Sequence, residues 1–351
     1  MPFLIVNPAA QRGRVGRRWE QELRPALDAA GIKYTFALTR APGHAIELAA
    51  EAAKKGHPVV CAVGGDGTSN EVFNGLLQAR TGASFAAIPV GSGNDVPATF
   101  GIPEKDPAAA IACLRDGQDL IFDVGYAKEA DRYFAGAASI GFDADVTDRA
   151  SRQTMDRKSY ILAVFQTLMT FRPYDLRIVV DGREMAREPR MLVAVGNGKR
   201  YGGGMHVCPG AEVDDGRFAV TSLRKMRRVR LLLVFPKVFD GRHVTHPQVD
   251  TFEGVIVEVS ALDRPCRYQL DGDVMGTLPE TFETRAKLLK VRVPNPYRSY
   301  TEQWHAKRRT WAGLREWIGY TAAGVMALRH ATIRKQAGRW GYREPRSELI
   351  P

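Results

Sequence analysis

The sequence predicts an α/β + β protein: an N-terminal α/β domain with a parallel sheet, a C-terminal β-sandwich-like domain, and a basic helical tail. Up to about residue 124, strand-like apolar runs alternate with helix-like segments, which is the pattern of a parallel sheet with helices on both faces. From residue 125 onward, short alternating runs are separated by Asp-Gly turns, which is typical of antiparallel sheets. At residue 298 the composition becomes strongly basic.

Composition narrows the class of protein. The chain has 351 residues, of which 44% are hydrophobic and 25% charged, as in soluble globular proteins. It has no run of 18 apolar residues, so we expect no transmembrane helix, and its first residues lack the pattern of a signal peptide. The 4 cysteines are scattered without metal-binding spacing, which indicates reduced thiols in the cytoplasm. The net charge of +11 favours an anionic partner.

A glycine-rich turn between a strand and a helix is the most informative stretch. Apolar residues 59–63 precede it, and apolar residues at helical spacing follow it. The turn reads Gly64-Gly65-Asp66-Gly67-Thr68-Ser69-Asn70-Glu71. Its N–H groups, next to a helix N-terminus, favour an anion such as phosphate. Asp66 would repel phosphate unless a cation lay between them, so the turn indicates nucleotide phosphates with Mg²⁺. The alternative is a tight turn with Asp66 as helix cap.

Two further loops are expected at the same edge of the sheet. The strand predicted at 85–89 runs into a second glycine turn, Val90-Gly91-Ser92-Gly93-Asn94-Asp95, and Thr39 follows the strand predicted at 34–38. Parallel sheets bind ligands beyond the carboxyl ends of their strands. The convergence of three loops therefore predicts a binding site more strongly than any one loop does.

Domain boundaries follow from these changes of pattern. We assign residues 1–124 to the first domain and residues 125–286 to the β-rich domain, which holds predicted helices at 159–171 and 229–238. A final strand at 288–293 is expected to return to the first domain, so residues 287–297 are assigned there. Residues 298–351 form the tail.

The tail holds 11 Lys and Arg against 4 Glu, a net charge of +7 (11 − 4). Large apolar residues recur near helical spacing among the basic ones, which suits a helix lying on an anionic membrane surface. A helix packed on the first domain and a dimer contact are the alternatives. No nucleic-acid-binding motif accompanies the basic residues, so we expect no nucleic-acid partner.

Taken together, the motifs resemble the catalytic domain of diacylglycerol kinases, sphingosine kinases and the bacterial lipid kinases of that superfamily. The resemblance covers roughly residues 1–297 and rests first on the two glycine turns. Further matching motifs occur in order at Asn7-Pro8, Thr39 with Gly43, Asp123-Val124-Gly125, Gly141-Phe142-Asp143, Asn197-Gly198, Tyr201 to Met205, Pro209-Gly210-Ala211, Asp214-Asp215-Gly216 and Leu270-Asp271-Gly272-Asp273. The first turn alone is shared with NAD kinases, whereas the second turn and the β-rich domain favour the lipid-kinase branch.

The resemblance implies ATP in the cleft between the domains and Mg²⁺ beside its phosphates. Asp66, Asp95 and Asp123 match acidic residues associated with Mg²⁺ and water. Asp215 matches a structural metal ligand of bacterial members, with the main-chain carbonyls of Glu212 and Arg217 as its neighbours. By match, the nucleotide is expected to contact Asn7, Thr39, Gly64, Gly65, Asp66, Gly67, Thr68, Ser69, Asn70, Gly91, Ser92, Asn94 and Asp95.

The third motif departs from the family, most of whose members read Asp-Gly-Glu where this chain has Asp271-Gly272-Asp273. Asp273 resembles the general base that removes the proton from the lipid hydroxyl. Its side chain is one methylene shorter than glutamate, so either the site is tighter or Asp271 shares the role. Asp66 is expected to be essential for turnover. An enzyme impaired by the Asp-Gly-Asp motif is the remaining option.

The sequence therefore predicts an ATP-dependent lipid kinase, first of all one converting diacylglycerol to phosphatidic acid. A ceramide or sphingoid-base kinase, an NAD-kinase-like enzyme with a soluble acceptor, and a lipid-binding protein without catalysis are the alternatives. We expect a cytoplasmic protein that lies peripherally at the inner face of the membrane through its tail. A homodimer is a further expectation of the resemblance.

Overall fold

The structure, a computed structural model, describes residues 1–151, residue 167 and residues 170–308. The helix predicted at 159–171 falls almost entirely outside the described residues, and so does the tail beyond residue 308. Within the described part, no helix combines the length and the apolarity needed to cross a bilayer.

The described chain contains fifteen strands and nine α-helices, and a π-helical turn at Trp19–Leu23 joins the first two helices. The helices are α1 Arg14–Arg18, α2 Arg24–Ala29, α3 His44–Lys54, α4 Asp66–Ala79, α5 Asp95–Thr99, α6 Pro107–Asp116, α7 Phe142–Ser151, α8 Arg228–Val234 and α9 Tyr300–Arg308. The strands are β1 Phe3–Val6, β2 Thr35–Leu38, β3 Val59–Gly64, β4 Ser84–Pro89, β5 Gln118–Ala127, β6 Arg132–Phe134, β7 Ala137–Gly141, β8 Tyr174–Val180, β9 Arg183–Gly196, β10 Phe218–Arg224, β11 Val249–Gly254, β12 Ile256–Ala261, β13 Arg267–Leu270, β14 Asp273–Thr277 and β15 Glu280–Val293.

The N-terminal strands form the predicted parallel sheet. Its order is β4-β3-β1-β2, and each neighbouring pair is parallel. Alternate residues of a strand point to opposite faces, and both faces are apolar here. Ile5 and Val60 pack with α3 and α4 on one face, whereas Leu4 and Cys61 pack with α1, α2 and α6 on the other. The carboxyl ends of all four strands therefore lie at one edge.

The C-terminal strands are antiparallel and form the expected β-sandwich-like region. Hydrogen bonds nevertheless connect all fifteen strands into one network, with β15 as the link. β15 pairs antiparallel with β5 and β12, and its Val291 pairs in parallel with Phe85 of β4. The strand predicted at 288–293 is thus the end of β15, and it joins the parallel sheet. The exact division into domains stays a prediction.

Several elements differ from the sequence prediction. The sequence predicts a first helix from Trp19 to Ala30, whereas helical structure begins at Arg14, because Val15 is buried and belongs to the same apolar cluster as Trp19. Helix α6 was not predicted; Asp106 begins it by accepting the N–H of Ala109 at 3.0 Å. The sequence predicts one strand-like run at residues 133–137. The structure divides it into β6 and β7, because the N–H groups of residues 135–137 donate to a carboxylate instead of to a neighbouring strand.

Helices α3 and α4 meet at Gly75, where a Cβ would overlap the carbonyl oxygen of Ile46 and lie 2.8 Å from Ala49 Cβ. We predict that Gly75→Ala lowers the free energy of unfolding by about 1–3 kcal/mol, although alanine favours a helix, because the helices must move apart. Denaturant unfolding measures the change. Gln78→Ala on the exposed face of α4 is the control, expected within about 0.5 kcal/mol of wild type. A Gly75→Ala protein as stable as the control would contradict the prediction.

Candidate active site

The loops predicted to converge are connected through their backbones. The N–H of Asn7 donates to Val63 at 3.1 Å, and that of Thr39 donates to Val6 at 2.9 Å. The N–H of Val90, at the start of the second glycine turn, donates to Gly64 at 2.9 Å. The structure therefore places Asn7, Thr39 and both glycine turns at one edge of the sheet.

The two glycine turns touch each other, and this contact requires glycine. A Cβ on Gly91 would overlap the Cα of Gly65, and a Cβ on Gly93 would lie 2.6 Å from Asp66 Oδ2. A Cβ on Gly64 would overlap the side chain of Thr68. At Gly67, in contrast, a Cβ would meet nothing within 4 Å. The first turn of α4 thus has open space beside Gly67.

Asp66 joins the two turns. Its Oδ2 accepts the N–H of Asn94 and its Oδ1 accepts that of Val96, each at 2.8 Å. Loss of hydration, followed by the nearby charge of Asp95, raises the pKa of Asp66 to about 7. The carboxylate therefore caps the second turn rather than its own helix.

The polar side chains that follow the first glycine turn mostly make hydrogen bonds within the protein. Thr68, Ser69 and Asn70 are buried, and Asn7 Nδ2 donates to Thr68 Oγ1 at 3.1 Å. Asn70 donates to Asp271 Oδ2 at 2.9 Å and accepts from Arg132 at 2.7 and 3.1 Å. Asn70 thus connects α4 to the β-rich region. Ser92, in contrast, is exposed.

A cavity of about 260 Å³ opens beside the second glycine turn. It is smaller than pockets that enclose whole drug-sized ligands, which span roughly 300–1,000 Å³. Its wall holds three basic residues and one acidic residue, Glu104, which pairs with Arg200. The excess of positive charge suits a phosphate-bearing portion of a ligand. Its lining includes Arg18, Ser92, Gly93, Asn94, Lys105, Arg200, Gly203 and Gly204.

The two aspartates of the Asp-Gly-Asp motif have different surroundings. Asp271 Oδ1 accepts the N–H groups of Gly136 and Ala137 at 2.8 and 3.1 Å, while Oδ2 accepts from Ala135 and Asn70 at 2.8 and 2.9 Å. Loss of hydration raises the pKa of Asp271, and these four donors oppose the rise. A carboxylate with four donors has little capacity left to accept a substrate proton.

Asp273 is exposed, and its side chain makes no hydrogen bond or ion pair within the described ranges. Protein atoms around the exposed carboxylate remove part of its hydration and so raise its pKa; the charge of Arg132 lowers this pKa, and the charges of Asp271 and Glu71 raise it further. A free carboxylate with a raised pKa has the properties of a general base. Of the two aspartates, Asp273 therefore fits the predicted role better.

The other acidic residues expected near Mg²⁺ are bonded to the protein. Asp123 is completely buried and accepts the N–H of Gly216 at 2.6 Å and that of Lys287 at 2.7 Å. Asp95 Oδ2 accepts the N–H of Gly203 at 2.7 Å. Asp95 Oδ1 is buried 3.0 Å from Arg200 Nε, without hydrogen-bond alignment. Asp95 Oδ1 is therefore the oxygen of this set best able to face a cation or its water.

In the described part of the chain, the acidic residues expected to bind metal ions are not clustered as metal ligands. Among the described residues, no group of three or more His, Cys, Asp and Glu side chains is placed to hold a metal ion. Asp215 Oδ1 accepts the N–H of Arg217 at 3.0 Å, and Glu212 pairs with Lys199 at 2.6 Å. Loss of hydration and the charges of Asp123, Asp214 and Glu212 raise the pKa of Asp215. A structural metal at Asp215 stays a prediction, and Mg²⁺ fits only as an ion carried mainly by nucleotide phosphates and water.

Sequence reasoning missed three residues that the structure brings to the site: Arg132, Arg200 and Tyr300. Arg200 lies between the Asn197-Gly198 and Gly202-Gly203-Gly204 motifs, so its position was a usable signal. Arg132 and Tyr300 lie outside every motif, and nothing in the sequence marked them.

A parallel sheet with two joined glycine turns, followed by a β-sandwich-like region with a free carboxylate, defines a phosphate-handling enzyme fold. Residues 2–127 match the family described as "Diacylglycerol kinase catalytic domain", and residues 136–293 match "YegS C-terminal NAD kinase beta sandwich-like domain".

Curated relatives agree with these matches. The Diacylglycerol kinase of Mycobacterium tuberculosis is 34% identical over 252 residues, which is 70% of this chain and 80% of the relative. The Diacylglycerol kinase of Bacillus subtilis is 29% identical over 294 residues, 83% of this chain and 95% of the relative. A crystal structure of a diacylglycerol kinase from Bacillus anthracis has the same fold, with a TM-score of 0.64 at 21% identity over 84% of this chain and 97% of the other.

The chain belongs to the diacylglycerol kinase family of bacterial lipid kinases. This confirms the family predicted from the paired glycine turns. The identities leave the acceptor lipid open, and the roles of the individual site residues stay predictions.

Asp66 generates a prediction about pH. Its folded pKa of about 7 lies above the value of about 3.9 for an unfolded aspartate, so between these values the folded protein binds more protons. The contribution of Asp66 to the free energy of unfolding should therefore fall as pH rises from about 4 to about 7. The Asp66→Asn variant has no carboxyl group to titrate at this position. The free energy of unfolding of wild type minus that of the variant should therefore fall across this window, by something on the order of a few kcal/mol.

Urea unfolding without nucleotide at several pH values measures this difference. Glu258→Gln, which changes an exposed carboxylate on β12, should keep the wild-type pH slope. Parallel curves for wild type and Asp66→Asn would show that Asp66 has an ordinary pKa.

Proposed function

We propose that the protein transfers the γ-phosphate of ATP to the hydroxyl of diacylglycerol and so produces phosphatidic acid. The observation that carries this proposal is the free carboxylate of Asp273, next to a network that leads through Asp271 and Asn70 to the first glycine turn. The relatives from Mycobacterium tuberculosis and Bacillus subtilis are named diacylglycerol kinases, which supports diacylglycerol as the acceptor.

Phosphoryl transfer requires positioning and charge stabilisation more than covalent chemistry by the protein. In the proposed reaction, N–H groups of the glycine turns bind the phosphates. Asp273 accepts the hydroxyl proton, the lipid oxygen forms a bond to the γ-phosphorus, and the bond from that phosphorus to the ADP oxygen breaks. Mg²⁺, when bound with the nucleotide, supplies neutralising charge at the phosphate oxygens.

Asn70 binds Arg132 as well as Asp271. The guanidinium donates twice to Asn70 Oδ1, and its charge lowers the pKa of Asp273. With its charge, Arg132 therefore opposes the rise in the pKa of Asp273 that loss of hydration causes. It also offers positive charge near the γ-phosphate, whose charge must be stabilised during transfer.

The tail would bring the enzyme to its substrate. Beyond residue 308 it holds 8 Lys and Arg against 3 Glu, a net charge of +5 (8 − 3). Each basic residue near an anionic surface is worth about 1 kcal/mol, so several suffice for reversible recruitment. We therefore propose a peripheral enzyme at the inner face of the membrane. The expected homodimer stays a prediction.

The general base can be tested directly. We predict that Asp273→Asn lowers kcat by about 10²- to 10⁴-fold, the usual contribution of general acid–base catalysis. Thermal stability should stay unchanged, because the side chain makes no hydrogen bond in the described part of the chain. Asp273→Glu restores the residue usual in the family and should stay active, and Glu258→Gln should match wild type.

The measurement is transfer of labelled γ-phosphate to a panel of diacylglycerol, monoacylglycerol, ceramide and sphingosine in mixed micelles, with NAD as soluble control. Labelled phosphatidic acid that disappears in Asp273→Asn supports both acceptor and base. A different labelled acceptor would replace diacylglycerol in the proposal, and full activity of Asp273→Asn would remove Asp273 from the mechanism.

The tail makes a separate prediction. Removal of residues 309–351 keeps α9 but removes 8 of the 11 Lys and Arg of the tail. Activity should therefore fall at least several-fold on anionic vesicles and little on detergent-dispersed lipid. Raising the salt concentration should weaken wild type on vesicles in the same way, because salt screens surface charge. Equal loss of activity on both forms of substrate would show that the tail serves the fold.

A further inference from the structure

Helix α9 lies beyond the matched family domains, which end at residue 293, yet it packs against the candidate site. Gln303 Nε2 donates to the carbonyl of Gly101 at 2.9 Å. A Cβ on Gly101 would lie 2.7 Å from the carbonyl oxygen of Arg298, so the two segments are in close contact. Gly101 follows α5, the short helix that begins at Asp95. The C-terminal segment thus holds one end of α5.

Tyr300 makes a second attachment, on the other side of Asp95. Arg200 Nη1 donates to its hydroxyl at 3.3 Å, and the guanidinium carbon lies 4.8 Å from its ring centroid. The same hydroxyl lies 2.9 Å from His206 Nε2. Trp304, one turn further along α9, packs on the His206 ring with centroids 4.3 Å apart. Trp304 therefore holds the His206 ring that in turn contacts the Tyr300 hydroxyl.

Arg200 carries this attachment to the candidate nucleotide site. It is buried, and its guanidinium contacts Glu104 through Nη2, Tyr300 through Nη1 and Asp95 through Nε. A planar guanidinium held at two nitrogens has little freedom to turn at the third. The 3.0 Å contact with Asp95 Oδ1 lacks hydrogen-bond alignment, so its strength depends on where the guanidinium is held.

We propose that Tyr300 is a positioning residue for the kinase reaction: through Arg200 it sets the orientation of Asp95 at the second glycine turn. The inference rests on the proposed function, in which N–H groups of the glycine turns bind the phosphates of Mg·ATP, because Asp95 ends the second of these turns. It assigns a role in the reaction to a segment outside the family's two domains. The effect belongs to nucleotide binding, because the contacts of Tyr300 and Arg200 lead to Asp95 and do not include Asp273.

The test compares Tyr300→Phe, which keeps the ring but removes the hydroxyl, with Tyr297→Phe as matched control. Tyr297 packs on Phe122, and its hydroxyl makes no hydrogen bond within the described part of the chain. Loss of one hydrogen bond to a charged group should raise the Kd of Mg·ATP and the KM for ATP about three- to ten-fold. The kcat at saturating ATP should stay within about two-fold of wild type, and Tyr297→Phe should match wild type throughout.

A double-mutant cycle with Arg200→Lys shows whether Tyr300 acts through Arg200. Lysine keeps the charge but loses the planar fork, so the double variant should bind Mg·ATP no more weakly than the weaker single variant. If Arg200→Lys fails to fold, Glu104→Gln takes its place in the cycle, because it weakens the guanidinium's other anchor.

Calorimetric binding of Mg·ATP and lipid phosphorylation separate the two proposals. An unchanged Kd in Tyr300→Phe, or additive effects in the cycle, would overturn the positioning role even if diacylglycerol is phosphorylated. A raised Kd with non-additive effects would support it even if no lipid in the panel is labelled, an outcome that would count against the proposed function alone. Wild type that fails to bind Mg·ATP would overturn both.

Discussion

The architecture of the site depends on carboxylates that accept backbone N–H groups where no strand or helix supplies a partner. Asp66 binds two such groups in the second glycine turn, and Glu71 binds those of Gly43 and Ala45 at the start of α3. Asp123 and Asp271 do the same where the β-rich region meets the parallel sheet. Unpaired buried N–H groups are costly, so each carboxylate fixes the course of a loop.

This arrangement gives acidic residues in similar motifs different chemical properties. Asp271 has four donors and is held in place, whereas Asp273, two residues later, is exposed to the solvent. Asp95 lies between these cases, because one oxygen accepts an N–H group and the other faces only a misaligned guanidinium. The number of donors at each carboxylate, rather than its place in a motif, distinguishes a structural anchor from a group available for chemistry.

Much of the parallel sheet could be predicted from the sequence, because its strands are continuous apolar runs such as Val59–Val63 that end in glycine turns. The convergence of Asn7, Thr39 and both turns followed from parallel topology alone. The partners of the carboxylates could not be predicted, since Asn70 and Asp271 are 201 positions apart in the chain. The same is true of Arg132, whose importance arises only when β6 packs against α4.

Strand β15 is synthesised long after β4, the strand of the parallel sheet with which it pairs. β4 is complete by residue 89, but the strand that covers its outer edge, β15, begins only at residue 280. When the ribosome has synthesised the four strands of the parallel sheet, one edge of β4 therefore still lacks its partner strand. The residues of β4 are all apolar or buried in the complete structure. Such edges pair readily with other chains. Among the described residues, the nascent protein thus depends on β15, the last strand to be synthesised, to pair with the edge of β4.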